Sequence, residues 1–400
     1  MGGQHAHQAA PESARMRRLA FAVIVPIAVA TLAALVWLWP TDGVPSPEDG
    51  EAAAQSSGQV TAIEREACPE QPDQTAEQAD EQAAVQVNGC GTARVEITES
   101  DTERAVGREV EVALPSGPGA PEIEVGDDVV LTQTESPDGM IYAVVDHQRG
   151  TGLWVLLGAF ALALVAFGRW RGLTAIGGLA VTFVLLLFFV VPAILAGQPP
   201  LLVAIVGSAA IMLTVLYLTH GFGLGTTVAV LGTLVSLTLT GLLSAFAVSA
   251  LHLTGFTDET STYVGTLHSV NMEGLLLAGI VIGSLGVLDD VTVTQSATVT
   301  ELARANPEYG AVQLYRAGSR VGRAHIASVV NTIILAYAGS SLPLLILLVA
   351  AQGPIADVVT DQLVAQEIVR SVVATLGLIA AVPITTGLAA LTFRRYSTAE

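Results

Sequence analysis

Lysine is missing from this chain: all 17 basic residues are arginine. Only 13% of the 400 residues are charged, aromatic residues make up 5%, and there are two cysteines. The absence of lysine beside abundant Ala, Val and Gly reads as a base-composition bias and bears on no activity. The scarcity of charge says more. With 52% hydrophobic residues and a mean hydropathy of +0.59, the chain has too few charged helix faces for water to surround all of it. Also lacking are the phosphate loop G-x-x-x-x-G-K-S/T, the H-E-x-x-H helix and the G-x-S-x-G elbow. Nucleotide hydrolysis, zinc proteolysis and serine chemistry therefore have no support, and we expect neither an enzyme nor a cofactor. No internal repeat points to an inverted-repeat transporter.

What charge there is lies unevenly. Residues 40–149 hold 24 of the 36 acids and five arginines, so this block carries the whole net charge of −19 while the remainder balances. An acidic block keeps a domain soluble and repels nucleic acid, which excludes a nucleic-acid partner. Cys68 and Cys90 both fall inside it. A cysteine pair confined to one exported domain fits an oxidising compartment, and a structural disulfide is favoured over two free thiols.

Residues 1–18 form a polar tail ending in Arg15, Arg17 and Arg18, followed by an apolar run over 19–39. The run is too long for a cleavable signal and lacks an A-x-A site before Pro40, so it reads as a signal anchor with Trp37 and Trp39 at the outer interface. A Pro/Gly/Ser/acidic linker spans 40–58. Over 59–150 the hydrophobic period becomes two, in Val85 and Val87, Val95 and Ile97, Val110 to Leu114, Ile123 and Val125, Val129 to Leu131, and Ile141 to Val145. Turn signals separate these runs, and the pattern predicts a small β-barrel or sandwich of OB-like size. Glu64 to Gln82 reads as an insertion that a Cys68–Cys90 bridge would tether.

Seven more apolar segments occupy about 152–168, 173–196, 201–219, 225–251, 272–290, 325–350 and 367–393, leaving 396–400 as a tail. The predicted fold is thus an all-α polytopic membrane bundle of about eight spanning helices with one small extracytoplasmic β-rich domain. Arginines grade the topology: eleven lie on segments assigned inside, whereas the outer loops after the second span hold Asp258, Glu259, Asp357, Asp361 and Glu367. This positive-inside asymmetry puts both termini in the cytoplasm, residues 40–150 outside, and the lipid bilayer of a bacterial cell membrane around the spans.

The segment Gly279–Asn306 is the least ordinary. Gly279, Gly283 and Gly286 have the spacing of a close helix–helix contact. The apolar run then meets Asp289 and Asp290, followed by Thr292, Thr294, Gln295 and Ser296. Carboxylates at the membrane end of a helix are costly unless they face a cavity, pair with arginine or bind an ion. Arg316, Arg320 and Arg323 precede the next span and are candidate charge partners. Two readings stand: a hydrated vestibule for a cation or protons, or an interfacial acid pair neutralised by arginine. Asn331 reads as a helix–helix hydrogen bonder and His220 as a turn residue. His268, Asn271 and Glu273, with His252 or Asp258, show no recognised metal-ligand spacing.

The run GSLGVLDDVTVTQSATVTELARANP (Gly283–Pro307), with GREVEVALPSGP (Gly107–Pro118) and VGDDVVL (Val125–Leu131), resembles the bacterial YibE/F-like membrane proteins over about residues 55–395. The resemblance implies one anchor, a small outer β-domain, seven later spans and an acidic residue near Asp289 or Asp290. It implies no biochemical mechanism. Two functions are carried forward: a permease-like or transport-associated protein centred on Asp289/Asp290, and a non-catalytic envelope scaffold whose outer domain binds a protein or wall partner.

Overall fold

A computed structural model describes residues 14–41, 55–66, 68, 87–100, 105–117, 119–136, 139–256, 259–350 and 354–393. The chain divides into two compact units, Ser46–Ala163 and the combination of Met1–Pro45 with Leu164–Glu400.

The smaller unit is a five-stranded antiparallel sheet of β1 (Gln55–Glu66), β2 (Cys90–Ser100), β3 (Glu109–Ala113), β4 (Asp128–Ser136) and β5 (Gly139–His147), ordered β3-β2-β1-β4-β5. β3 and β5 also approach each other, curling the sheet towards a barrel. Its core is Val60, Val95, Ile97, Val112, Leu114, Ile123, Val129, Leu131 and Val144. Val87, Val125, Ile141 and Val145 point outward instead, so the period of two marks the strands better than it marks the inward face. Asn88 closes one end of this core: its Nδ2 donates to the Pro115 and Pro121 carbonyls at 2.8 Å each, and its Oδ1 accepts from the Ile123 amide at 2.9 Å. Cys68 and Cys90 are bonded, with Cα atoms 5.1 Å apart. At the rim Arg149 donates to Asp146, which holds that carboxyl below its usual range.

One correction concerns the linker. Its last residues, Gln55 to Gly58, belong to β1, the central strand, which pairs with both β2 and β4. Its inward residues are Ser56, Gly58 and Val60 rather than an apolar alternation. The buried Ser56 hydroxyl stays satisfied because it meets Ser100 at 2.9 Å and the Gln133 side chain. The proposed insertion at 67 and 69–82, and Val85, lie outside the described residues.

Among the described residues eight helices are long and apolar enough to cross a membrane. They are α1 (Ala14–Trp37), α2 (Gly150–Gly168), α3 (Trp170–Leu185, running on through a π-helical turn to Leu195), α4 (Pro200–His220), α5 (Leu224–Ala250), α7 (Met272–Ala305), α8 (Ala311–Ser340) and α11 (Gln362–Phe393). Short helices α6 (Glu259–Leu267), α9 (Leu342–Ala350) and α10 (Ile355–Thr360) lie between them. Asn271 starts α7 by accepting the Gly274 amide at 2.8 Å, and Pro307 follows its end.

Two helices run beyond the apolar spans expected for them. α7 does not stop at 290 but continues to Ala305, and α8 starts at Ala311 rather than near 325. At ~1.5 Å per residue a helix of 34 residues is about 51 Å long, well beyond a ~30 Å hydrocarbon core. The hydroxyl-rich half continues the helix with no Gly or Pro before Pro307, and its Thr side chains are satisfied by carbonyls one turn back, as Thr298 is by Thr294 and Thr300 by Ser296.

α5, α7 and α11 form the centre of the larger unit, with α4 and α8 against them. α5 and α11 run antiparallel and interlock through two sockets: Thr240 of α5 lies on Gly377 of α11, and Thr385 of α11 lies on Gly232 of α5. A Cβ at either glycine would overlap the facing threonine Oγ1. Where lipid removes any hydrophobic drive between helices, such close approach supplies the dispersion energy that holds them together. Gly377→Ala is expected to lower stability in detergent by about 1–3 kcal/mol. Thr240→Ala in the same chain should restore part of the loss, read as thermal midpoints of the two variants.

Candidate functional site

Asp289 and Asp290 stand at the middle of α7, not at its end, seventeen and eighteen residues beyond Met272. Asp289 is half-buried, and its Oδ1 is buried without a hydrogen-bond partner. Asp290 is exposed on the surface of the unit. At the centre of a bilayer a carboxylate costs ~2.5–3.5 kcal/mol even on the lenient insertion scale.

The polar residues that follow divide into two sets. Thr292, Gln295 and Ser296 are buried and committed to neighbouring helices. Thr292 shares a hydrogen bond with Thr233 of α5 and donates to the Asp289 carbonyl at 3.1 Å. Gln295 donates to the Gly318 carbonyl of α8 at 2.9 Å and to Thr386 Oγ1 of α11 at 2.8 Å. Ser296 donates to the Gly225 carbonyl at the start of α5, at 2.7 Å. These three residues therefore join helices instead of lining a vestibule. Thr294 alone of the set is exposed. Its neighbours on that face are Gly286, Asp290 and Ala297, all exposed.

The arginines are not the partners of the acid pair. Arg316, Arg320 and Arg323 lie within α8 on its exposed face, and none makes an ion pair with Asp289 or Asp290 among the described residues. The cause is register. The buried face of α8 presents Gly318 and Gly322 to Gln295, which puts the arginines beside the turn below the aspartates and turns them outward. The predicted packing glycines need a similar correction. Gly279 and Gly286 have open space where a Cβ would stand, and Gly283 faces only the Tyr337 hydroxyl of α8, at 3.3 Å from that position. The close contacts use Gly232, Gly318, Gly322 and Gly377 instead. A Gly-x₇-Thr spacing shared by α5 and α11 was the signal for two of these.

Other polar residues have structural posts. Asn271 caps α7, His220 ends α4 with its Nδ1 2.8 Å from Thr219 Oγ1, and Asn331 is exposed on α8. His252, His268 and Glu273 form no metal-binding group among the described residues, and Asp258 lies outside them. A cavity of about 350 Å³ lined by Gln198, Pro199, Ser269 and Asn271 sits at the loops before α4 and α7. Not foreseen at all was an ion pair inside a spanning helix, Glu367 with Arg370 on α11, at 3.1 Å.

A family model described as YibE/F-like protein matches residues 156–395. No curated protein and no solved structure matches the chain.

The node at Gln295 ties three helices, and Gln295→Leu should remove both of its cross-helix hydrogen bonds and cost about 1–3 kcal/mol. Replacing Arg316, Arg320 and Arg323 together by Gln should move the thermal midpoint little, since surface changes stay within ~0.5 kcal/mol each.

Proposed function

The chain belongs to the YibE/F-like family, and from that premise we propose that this multi-pass membrane protein is permease-like, with Asp289 as the group that takes up a proton or cation within the bilayer. The observation that carries this reading is the Asp289 Oδ1, buried at mid-helix with neither a hydrogen-bond donor nor an ion-paired arginine among the described residues. A carboxylate in that position is stabilised when it binds a proton or a cation, and reaching Asp290 on the open face gives that ion a way in. Its role is transport-associated and not enzymatic.

In this reading both termini face the cytoplasm, residues 40–150 lie outside the bacterial cell membrane, and arginines hold the inner ends of the spans. The disulfide between Cys68 and Cys90 supports an oxidising location for the β unit. A second reading, an envelope scaffold, draws on that unit having its own core, which a protein or wall partner outside the membrane would engage.

Purified protein in liposomes holding an entrapped pH dye tests the first reading. Asp289→Asn should reduce proton flux at least tenfold and Asp290→Asn less; a double variant as active as the wild type overturns the site. Single cysteines introduced near 110 and 170 test the topology in intact cells. The first should react with an impermeant maleimide and the second should not, and the reverse pattern inverts the whole arrangement.

A further inference from the structure

The first turns of α8 carry three positive charges without a counter-ion. Arg316, Arg320 and Arg323 recur at intervals of four and three, so they form one stripe along about 10 Å of the helix. None of them makes an ion pair among the described residues, whereas Arg304 meets Glu301 and Arg370 meets Glu367. From Ala311 to Ser340 the helix has no acid of its own. Arg323 donates from Nε to the Ser319 carbonyl at 3.3 Å, which leaves its terminal nitrogens uncommitted among the described residues.

The direction of the stripe is fixed from behind. Gln295 of α7 donates to the Gly318 carbonyl, and a Cβ at Gly322 would stand 2.8 Å from Gln295 Oε1. That contact buries Leu314, Gly318 and Gly322, and the arginines on the opposite side of the helix are held outward, all three exposed. Ser319 lies at the edge between the two sides, and its buried hydroxyl has no partner among the described residues.

Guanidinium groups are planar donors whose geometry matches phosphate oxygens. The surroundings indicate what brings the phosphate. Outward along the same face the stripe continues through Ala327, Asn331 and Ile334, each exposed, so the charge stands at the end of a mostly apolar strip. Exposed Tyr315 and Val321 flank it. From Ala324 to Ser340 the helix covers about 25 Å, close to a ~30 Å hydrocarbon core, and the proposed topology then sets the arginines at its inner edge. A ligand with phosphate at one end and hydrocarbon at the other meets both halves of this face, and a free anion meets only one.

We propose that Arg316, Arg320 and Arg323 bind the headgroup of an anionic phospholipid in the inner leaflet, with its acyl chains along the Ala327–Ile334 strip. The phosphate oxygens accept from the guanidinium N–H groups, and Ser319 offers a further donor at the edge. A zwitterionic lipid carries its own cation into the stripe and is disfavoured. The site is separate from Asp289 and stands whether or not that group binds an ion.

Native mass spectrometry of the full-length protein in neutral detergent tests this, with phosphatidylglycerol and phosphatidylcholine of the same acyl chains as probes. The wild type should favour phosphatidylglycerol by roughly tenfold or more, since a basic residue at an anionic surface contributes about fivefold. Arg316→Gln, Arg320→Gln and Arg323→Gln together should abolish the preference at an unchanged thermal midpoint, and Arg320→Gln alone should lose about fivefold. Arg169→Gln with Arg171→Gln removes exposed charge at a different turn and should leave the preference intact. Inorganic phosphate should not displace the lipid. The site is overturned by a wild type without preference, by an undiminished preference in both the triple and the single variant, or by an equal loss in the Arg169 and Arg171 variant. Displacement by inorganic phosphate overturns the lipid as its occupant.

Discussion

A bilayer interior offers no water to a polar group, so each hydroxyl, amide and carboxylate placed there must find its partner within the protein. The larger unit meets this demand with a seam of hydroxyls along α5. Thr233, Ser236, Thr240 and Ser244 each return a hydrogen bond to the carbonyl one turn back. Satisfied this way, the hydroxyls behave as small, nearly apolar knobs, and glycines on the facing helix receive them. Thr240 on Gly377 is such a socket, and Thr385 on Gly232 is its reciprocal, though the Thr385 hydroxyl itself has no hydrogen-bond partner among the described residues. Close backbone approach then brings Gln295 into reach of both Gly318 and Thr386. Among the described residues the exceptions are single buried atoms of Ser208, Asp289, Ser319, Gln366, Arg370 and Thr385, of which Asp289 and Arg370 carry charge.

Asp289 lies off the seam between α5 and α11. Thr292, Gln295 and Ser296 weld α7 to α5, α8 and α11, which fixes the buried side of α7 and leaves its opposite side to Gly279, Gly283, Gly286, Asp290 and Thr294. One side of this helix is thus packed against its neighbours and the other is unobstructed.

The spanning helices were largely legible, because an apolar run near twenty residues long matches the thickness of a bilayer and is costly to leave in water. The second half of α7 is polar enough to look like surface, yet the lack of Gly or Pro before Pro307 carries the helix on, and its hydroxyls bond backward along it. The start of α8 was hidden for the opposite reason: three arginines mark an aqueous edge, yet Ala317, Gly318, Ser319 and Gly322 between them form a buried face. Which glycines make contact was not readable, because a small residue only permits an approach and the facing side chain decides it. Gly286 meets nothing and Gly377 meets Thr240, though both sit in similar apolar surroundings. In the β unit, Ser56 and Gly58 hid the central strand by occupying inward positions that a hydrophobic pattern assigns to Val or Ile.

That disguise of β1 bears on how the β unit assembles. β1 leaves the ribosome first, but its partners β2 and β4 follow only after residue 90 and residue 128. Until then both of its edges are bare, the condition in which a nascent strand recruits neighbouring chains. A strand of Ser, Gly, Gln and Thr is a poor nucleus for such recruitment, so the residues that made it hard to recognise also keep it soluble while it waits.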